Sequence, residues 1–290
     1  MKFSLLLDKF LLSMRKRTGV GKNSKTREGW LSKGYDNEPT VSFVIQSHNK
    51  SLQVLHVVEK LRQEKSAEII VIDDGSTPEH TRRLTESLTR ANEFVLRAND
   101  LYENITYDRT LRLANGRYVA LLQDDDDFDG VGWVDRAVDL LDSHPRMAIL
   151  GGCDSLDIVF DGHRAFGRRV ETKSDFRFSM AVNRAPMWVN RGLFLRELQH
   201  IDYRFAPFQY DDYELCLRAW TRGLQVGWYD AGFRSLSAGG MRLWNNAFMH
   251  EQCAVNGPML HDLYVGRREE IEQRVLRENE KPRETAGSSG

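Results

Sequence analysis

The 290-residue chain has little of what marks the more specialised classes of protein. Its three cysteines, Cys153, Cys216 and Cys253, are odd in number and far apart, so neither a disulfide framework nor a zinc site is expected and a reducing compartment fits best. Its charges nearly cancel, because 41 lysines and arginines face 42 aspartates and glutamates, for a formal net charge of -1. Without an overall positive field the protein is not expected to bind nucleic acid, and any anionic ligand must be held by local contacts.

Long hydrophobic runs are also missing. The most apolar stretch, residues 1–14, is interrupted by Asp8 and Lys9, and it is too short and too charged to span a bilayer or act as a standard signal peptide. Because Arg15-Lys16-Arg17 follows it, two interpretations stay open: an amphipathic helix at a membrane surface, or a helix packed on its own domain. With the polar linker that follows, residues 1–38 are predicted to be an N-terminal extension of a cytoplasmic protein. Peripheral membrane contact and a homo-oligomer are both left open.

From Pro39 onward, apolar runs alternate with helical patterns. Strands are predicted at Val41–Ile45, Glu68–Ile72, Phe94–Leu96, Tyr118–Leu122 and Met147–Leu150, and helices at Leu52–Leu61, Ile105–Ala114 and Trp133–Leu141, with a further helix that opens at Ser76. This order of elements predicts an α/β fold with a parallel sheet. The chain is expected to be helical again from Asn245, with a C-terminal helical tail over residues 246–290.

Two acidic clusters each follow a predicted strand. Asp73-Asp74 comes after the second strand, and Asp124 to Asp127 form four consecutive carboxylates after the fourth. Open α/β sheets bind ligands beyond the carboxyl ends of their strands, so the two clusters are expected to share one crevice. Two like charges ~4 Å apart cost roughly 4 kcal/mol at an effective dielectric constant of ~20, so the run needs either a cation or wide splaying. Oxygen ligands suit Mg2+ or Mn2+, whereas an acidic surface loop or an ordinary Asp-Gly-Ser turn needs no ligand.

Four segments occur in a fixed order between Val41 and Trp244: Val41–Asn49, Val71–Thr77, Ala114–Asp126 and Asp211–Trp220. In this order, and almost letter for letter in the second segment, they resemble the motifs of the family-2 glycosyltransferases, which have the GT-A fold. The resemblance implies a Rossmann-like, mostly parallel central sheet flanked by helices, in a glycosyltransferase domain over residues 39–245. It also implies transfer of a sugar from a nucleoside-diphosphate sugar donor to a hydroxyl of a glycan or other acceptor.

The same resemblance implies roles for individual residues. Asp125 aligns with the principal ligand of a Mn2+ or Mg2+ ion that bridges the diphosphate, and Asp126 is a second candidate because four consecutive aspartates leave the register open by one. Asp212 is expected to deprotonate the acceptor hydroxyl as general base, with Asp211 beside it, in a direct displacement that inverts the anomeric centre. Contacts to the donor fall to Gln46, Ser47, Asn49, Asp73, Asp74, Asp124 and Arg242.

The sequence departs from the family pattern at two places. Gln123 stands where the first aspartate of the metal motif is usual, and residues 229–235 lack the histidine that often completes the metal site. These departures keep open a non-catalytic sugar-nucleotide or glycan-binding module of the same fold. A nucleotidyltransferase is disfavoured, because Ile45–Lys50 is not a glycine-rich basic loop. Two local alternatives also stay open: Asp211-Asp212 as a charge pair at a helix N-terminus, and Ser237–Arg242 as a plain surface turn rather than a loop that closes over the diphosphate.

Overall fold

Eight strands form the central sheet of the protein, whose computed structural model describes residues 28–184, 186–235 and 246–281. Six of the strands run in one direction, and β9 and β11 run against them, so the predicted mostly parallel sheet is confirmed. In spatial order they are β3 (Glu93–Ala98), β2 (Ala67–Asp74), β1 (Val41–Ser47), β4 (Tyr118–Gln123), β11 (Met187–Asn190), β6 (Met147–Gly151), β12 (Gln225–Tyr229) and β9 (Phe176–Phe178).

Two smaller sheets accompany the central one. The hairpin of β7 (Ser155–Asp161) and β8 (Arg164–Arg169) pairs with β10 (Ala181–Val182), and β5 (Asp126–Asp127) pairs with β13 (Arg234–Ser235). The sequence pattern predicts none of these strands, because two-residue ladders carry no periodicity and β8 is half arginine. The pairing of β13 with β5 matters for function, since it lays the chain after β12 alongside the acidic run.

Helices flank the central sheet, and those predicted from the sequence are confirmed within a few residues. They are α1 (Ser51–Leu61), α2 (Pro78–Ser87), α3 (Tyr102–Leu113), α4 (Gly132–Ser143), α5 (Asp211–Thr221), α6 (Asn246–Tyr264) and α7 (Arg268–Glu280). Shorter helical segments cover Arg191–Leu193, Phe194–Leu198, Tyr203–Phe205 and Val265–Arg267. Helix α2 begins with Pro78, a position where proline is favoured because its missing amide hydrogen would have no partner in the helix.

The core lies on both faces of the central strands. β1 and β2 are buried at every residue, which explains why they read as nearly continuous apolar runs instead of alternating ones. On β11, Trp188 is fully buried beside the rings of Phe43 and Trp133, with centroid separations of 6.4 and 5.3 Å. This aromatic cluster fixes the antiparallel strand in the middle of the sheet.

At the amino ends of β1 and β2, a buried carboxylate fastens the turn that leads into β4. Glu68 accepts hydrogen bonds from the Ser42 hydroxyl at 2.6 Å, the Asn115 backbone amide at 2.5 Å and the Asn115 side chain at 3.0 Å. The Gly116 amide donates to the Ser42 hydroxyl oxygen at 2.7 Å. A Cβ at residue 116 would lie 2.5 Å from the Ser42 backbone nitrogen, so glycine is required at this close approach. These contacts position β4 and hence the aspartates that follow it.

Helices α6 and α7 pack against the sheet-bearing part of the chain. The Tyr264 hydroxyl donates to Glu214 at 2.8 Å, and the Asn279 side chain bonds both the backbone amide and the carbonyl of Phe178, at 3.0 and 2.9 Å. The domain boundary at residue 245 stays a prediction, and many contacts cross it.

Several sequence expectations lie outside the described residues, among them the apolar segment over residues 1–14, the Ser237–Arg242 loop and the final Ala286–Gly290 segment. Within the described parts of the chain, none of the helices combines the length and apolarity needed to cross a bilayer.

Replacing Gly116 with alanine is expected to lower the free energy of unfolding by about 1–3 kcal/mol, since the added methyl group overpacks against the backbone of β1. Chemical denaturation of the purified proteins measures the loss. Gly130→Ala is the matched control, because no heavy atom lies within 4 Å of a Cβ there. Equal stability of the two variants would contradict the role of Gly116 in holding β4.

Candidate active site

Loops that follow the carboxyl ends of the parallel strands are cross-linked by buried polar side chains. Asp74 is fully buried at the end of β2, and its carboxylate accepts the backbone amides of Leu101 and Tyr102 at 2.8 Å each. Asp100 and Tyr102 have left-handed backbone angles, with φ of 55° and 60°, so this carboxylate holds a strained loop against the sheet. Asp74 therefore lies in the crevice with structural hydrogen bonds of its own, and its contact to a nucleotide stays a prediction.

Gln46, Ser47 and Asn49 extend this network along β1. The Gln46 side chain donates to Asp74 at 3.1 Å, and Asn49 accepts the Thr77 backbone amide at 2.8 Å, which joins the loop after β1 to the loop after β2. The Ser47 hydroxyl is buried without a hydrogen-bond partner among the described residues. Such a group is costly to leave unsatisfied, so Ser47 is the member of this predicted donor-binding set with the clearest capacity for a ligand.

Asp73 has different surroundings, because neighbouring side chains on a strand point to opposite faces. Its carboxylate accepts the Thr81 hydroxyl at 2.6 Å and the Arg97 guanidinium at 2.9 Å. These bonds hold α2 and β3 to the end of β2. The predicted contact of Asp73 with the donor is a separate role that stays a prediction.

The first and third of the four consecutive aspartates turn to different partners. Asp124 accepts the Lys50 ammonium at 3.1 Å and the His48 backbone amide at 3.3 Å, whereas Asp126 accepts the Gln123 backbone amide at 2.8 Å. Burial raises the pKa of Asp126 to about 8, and the neighbouring carboxylates add to the shift. Burial also raises the pKa of Asp124, although the charge of Lys50 opposes it.

The second and fourth aspartates also have different hydrogen-bond partners. Asp125 accepts the Ser235 hydroxyl at 2.8 Å. Asp127 accepts hydrogen bonds from Lys60 and, at 3.0 Å, from Arg234, and the bond from Lys60 is the main reason that the pKa of Asp127 lies well below its ordinary value. The carboxylates thus relieve their mutual repulsion by splaying, one of the two solutions that the sequence allows.

A divalent cation fits this arrangement if the substrate supplies part of its ligands. Among the described residues, no group of three or more histidine, cysteine, aspartate and glutamate side chains is spaced to hold a metal ion. Mg2+ is commonly held by one or two carboxylates together with phosphate oxygens of the substrate, and the same oxygen ligands suit Mn2+. Asp125, whose carboxylate accepts the Ser235 hydroxyl, is the residue predicted for that role. Asp126 fits it less well, since its carboxylate turns back to accept the Gln123 backbone amide. Both metal assignments stay predictions.

The second acidic pair begins helix α5, where the sequence places it. Asp211 is fully buried and forms an ion pair with Arg184, whose guanidinium lies over the Tyr107 ring at 5.0 Å. The Asn104 side chain donates to the same carboxylate at 3.3 Å. Removing one partner of a buried ion pair leaves an uncompensated charge, so Asp211 has a structural role at the start of α5.

Asp212 is partly exposed, and its carboxylate accepts the Tyr213 backbone amide at 2.9 Å. Burial raises the pKa of Asp212 to about 6; the charge of Arg184 opposes the shift and that of Asp211 reinforces it. A general base works best when its pKa lies near the operating pH. Of the two aspartates, Asp212 is the one that is partly exposed and so open to a ligand, and its role as base stays a prediction.

Glu103, at the start of α3, connects the two acidic groups. Its Oε2 atom is buried without a hydrogen-bond partner among the described residues. Burial raises the pKa of Glu103 to about 7, and the charges of Arg184, Asp211 and Asp124 all act on it. The aspartates that follow β4 and the pair that begins α5 therefore face one polar centre.

Sequence reasoning misses three charged residues of this crevice: Lys50, Glu103 and Arg184. Lys50 directly follows the first motif, and a basic residue so close to an acidic site is a signal that could have found it. Its partner Asp124 is 74 residues away along the chain, however, so the pairing itself is visible only in the fold. For Glu103 and Arg184, which belong to no motif, the sequence holds no signal. The predicted donor contact Arg242 lies outside the described residues.

Two solved structures share this fold. One is GalNAc-T7, crystallised with UDP, GalNAc and Mn2+: it is 19% identical, with a TM-score of 0.54, and the match covers 68% of this chain and 44% of that chain. The other is residues 1–349 of TarS from S. aureus with UDP-GlcNAc: it is 14% identical, with a TM-score of 0.58, and the match covers 82% of this chain and 71% of that chain. At these identities the likeness establishes the fold alone, and the match spans less than half of the GalNAc-T7 chain.

A family model places the motifs in one family. The model described as Glycosyl transferase family 2 matches residues 42–217, which is more than half of the chain and contains both acidic groups of the crevice. No curated protein matches the chain. From the family match and the shared fold, the chain belongs to glycosyl transferase family 2 and has the GT-A fold.

Proposed function

We propose that the protein transfers a sugar from a nucleoside-diphosphate sugar to an acceptor hydroxyl, with Asp212 as general base and inversion at the anomeric carbon. One observation carries the proposal: the Tyr107 hydroxyl donates to the Leu122 carbonyl near the end of β4 at 2.8 Å, and the Arg184 guanidinium that pairs with Asp211 lies over the same ring at 5.0 Å, so the two acidic groups meet on either side of Tyr107 at the carboxyl ends of the parallel strands. That edge is where open α/β sheets bind ligands. The donor class is supported by the neighbours, since TarS was crystallised with UDP-GlcNAc and GalNAc-T7 with UDP.

Unsatisfied polar atoms in the crevice support a ligand rich in hydroxyl groups. Four of the buried atoms that lack a hydrogen-bond partner among the described residues belong to the group around Arg184: Glu103 Oε2, Asn104 Oδ1, Arg184 Nε and Asp211 Oδ1. Native proteins leave few such atoms unpaired. Sugar hydroxyls both donate and accept hydrogen bonds, so they can satisfy the three acceptors and the one donor of this set.

Positive charge near the crevice supports a diphosphate. Lys50 lies 3.1 Å from Asp124, close enough to contact a phosphate held at the end of β4. Asp125 would hold Mn2+ or Mg2+, which when bound neutralises charge that develops on the departing diphosphate. The Ser47 hydroxyl, at the end of β1, is a further donor that has no partner among the described residues.

Proton transfer falls to Asp212. Its carboxylate takes the proton of the acceptor hydroxyl while the acceptor oxygen bonds to the anomeric carbon and the bond to the diphosphate breaks. The charge of Asp211, which forms an ion pair with Arg184, raises the pKa of Asp212 and so strengthens it as a base. Because one displacement completes the transfer, no covalent sugar–enzyme intermediate is needed.

Donor binding is expected to depend on Asp125. UDP together with Mn2+ should raise the melting temperature of the wild-type protein more than either does alone, since a ligand that binds the folded state stabilises it. Asp125→Asn should remove this joint effect. Asp129→Asn is the matched control, because Asp129 is an exposed aspartate of the same loop. The opposite outcome has two parts. UDP in EDTA would raise the melting temperature of the wild-type protein as much as UDP with Mn2+ does, and Lys50→Gln would lose this rise. Lys50, and not a metal, would then neutralise the diphosphate.

Asp212→Asn is expected to lower turnover by about 100- to 10,000-fold, the usual contribution of a positioned general base, with little change in stability or UDP binding. Nucleotide release from a panel of UDP-, GDP- and dTDP-sugars measures turnover. Asp211→Asn should instead cost about 3–5 kcal/mol of stability, because it leaves Arg184 buried without its partner. Full turnover by folded Asp212→Asn would refute the base assignment.

The value of kcat/KM is expected to rise with pH through about 6 and then level off, because a general base acts only after it has lost its proton. Burial raises this pKa, and Asp211 and Arg184 adjust it in opposite directions. Arg184→Gln removes the opposing positive charge, so the midpoint should move to higher pH, whereas Arg184→Lys should keep it near the wild-type value. Initial rates at low donor concentration across the pH range measure the midpoint, and a midpoint that Arg184→Gln does not move would contradict the assignment.

A further inference from the structure

A cavity of about 440 Å3 lies between the β7–β8 hairpin and helix α6, apart from the crevice at the strand ends. Its walls include His163, Arg164, Phe166, Tyr210, His250 and Gly257. No aspartate or glutamate is among the described residues that line it. In a protein with almost equal numbers of acidic and basic residues, this makes the cavity locally positive.

The cavity combines cationic groups with aromatic faces. The Arg164 guanidinium lies over the Phe166 ring at 5.6 Å. His163 and His250 also line the cavity. Guanidinium groups bind phosphate and carboxylate oxygens by charge-assisted hydrogen bonds, and an aromatic ring such as that of Tyr210 offers an apolar face with a polar tip.

This cavity adjoins the start of α5. Tyr210 directly precedes the acidic pair, and its ring packs edge-on against that of Tyr213 at 5.3 Å. The Tyr213 hydroxyl reaches β8, where a Cβ on Gly167 would lie 2.7 Å from it. Burial raises the pKa of both tyrosines, and the charge of Asp212 adds to each shift. Asp212 lies between these two tyrosines along the chain, in the first turn of α5, and Tyr210 lines the cavity.

The wall that carries Tyr210 is held in a strained conformation. Gln209 and Tyr210 have φ angles of 76° and 69°, in the left-handed region that non-glycine residues rarely adopt. The buried Asn256 side chain of α6 donates to the carbonyls of Phe208 and Gln209 at 3.1 and 2.9 Å and so fixes this loop. Strain that the surroundings enforce in this way is concentrated at functional sites.

We propose that this cavity is the acceptor subsite and that it takes acceptors in which an anionic group, a phosphate or a carboxylate, lies close to the hydroxyl that receives the sugar. Arg164 binds the anion, the rings of Phe166 and Tyr210 flank the acceptor, and the reacting hydroxyl faces Asp212. The assignment as acceptor subsite rests on the proposed function. Binding of an anionic sugar by the cavity needs neither donor nor turnover.

Cys253 lines the same cavity and reports on its occupancy. In a Cys153→Ser protein, where Cys216 is buried, alkylation of Cys253 by N-ethylmaleimide is followed by mass spectrometry with inorganic phosphate, glucose 6-phosphate or glucose present. Glucose 6-phosphate is expected to slow the alkylation saturably. Arg164→Gln should weaken this protection about tenfold or more, the value of one charge-assisted hydrogen bond. Arg168→Gln is the matched control, because it removes the same charge from the same strand outside the cavity lining.

Four results would overturn the proposal. Glucose protecting as strongly as glucose 6-phosphate excludes the anionic class, and inorganic phosphate protecting as strongly excludes an acceptor site in favour of a simple anion site. A lack of protection by every probe, or protection that survives Arg164→Gln, excludes the cavity itself. The alkylation assay contains no nucleotide, so it does not depend on the proposed function. If the cavity behaves as expected but the protein releases nucleotide from no donor sugar, the proposed function is refuted and binding of the anionic sugar stands.

Discussion

The burial of many carboxylates at one edge of a sheet is the constraint on which the rest of the crevice depends. A carboxylate taken out of water must be neutralised by a cation, by hydrogen-bond donors or by a proton. This protein uses all three: Lys50 for Asp124, two backbone amides for Asp74, and a pKa raised to about 8 for Asp126. The bonds that neutralise the charges also fix the loops, so the shape of the crevice and its charge balance cannot be changed independently.

The same constraint separates residues that look equivalent in sequence. Asp211 and Asp212 both lie in the first turn of α5, where the helix dipole favours a negative charge. The helix dipole by itself accounts for neither the buried Arg184 nor the unpaired polar atoms around it. Arg184 forms an ion pair with Asp211, whereas burial raises the pKa of Asp212 to about 6 and the charge of Arg184 opposes that shift only in part. A structural residue and a candidate base thus arise from two adjacent aspartates.

Much of the fold could be predicted, because buried parallel strands such as Val119–Leu122 read as apolar runs that end in polar residues. The region between β6 and α5 could not, since β11 runs antiparallel inside a parallel sheet and the strands around it are too short for a periodic pattern. Motifs placed Asp125 and Asp212 in the crevice. They could not say which aspartate pairs with Lys50 or Arg184, because those pairings depend on how distant segments meet in three dimensions.

Helix α6 connects the two sides of the site. Two consecutive non-glycine residues with left-handed angles, Gln209 and Tyr210, cost roughly 1–3 kcal/mol each, and Asn256 of α6 supplies hydrogen bonds that hold them. The resulting turn sets the direction in which α5 begins. At the other end of α6, Phe248 packs against the Tyr102 ring at 6.0 Å, directly before Glu103. Because one helix contacts both the loop that precedes the base and the loop that Asp74 holds, residues that the sequence assigns to a tail contribute to the functional unit.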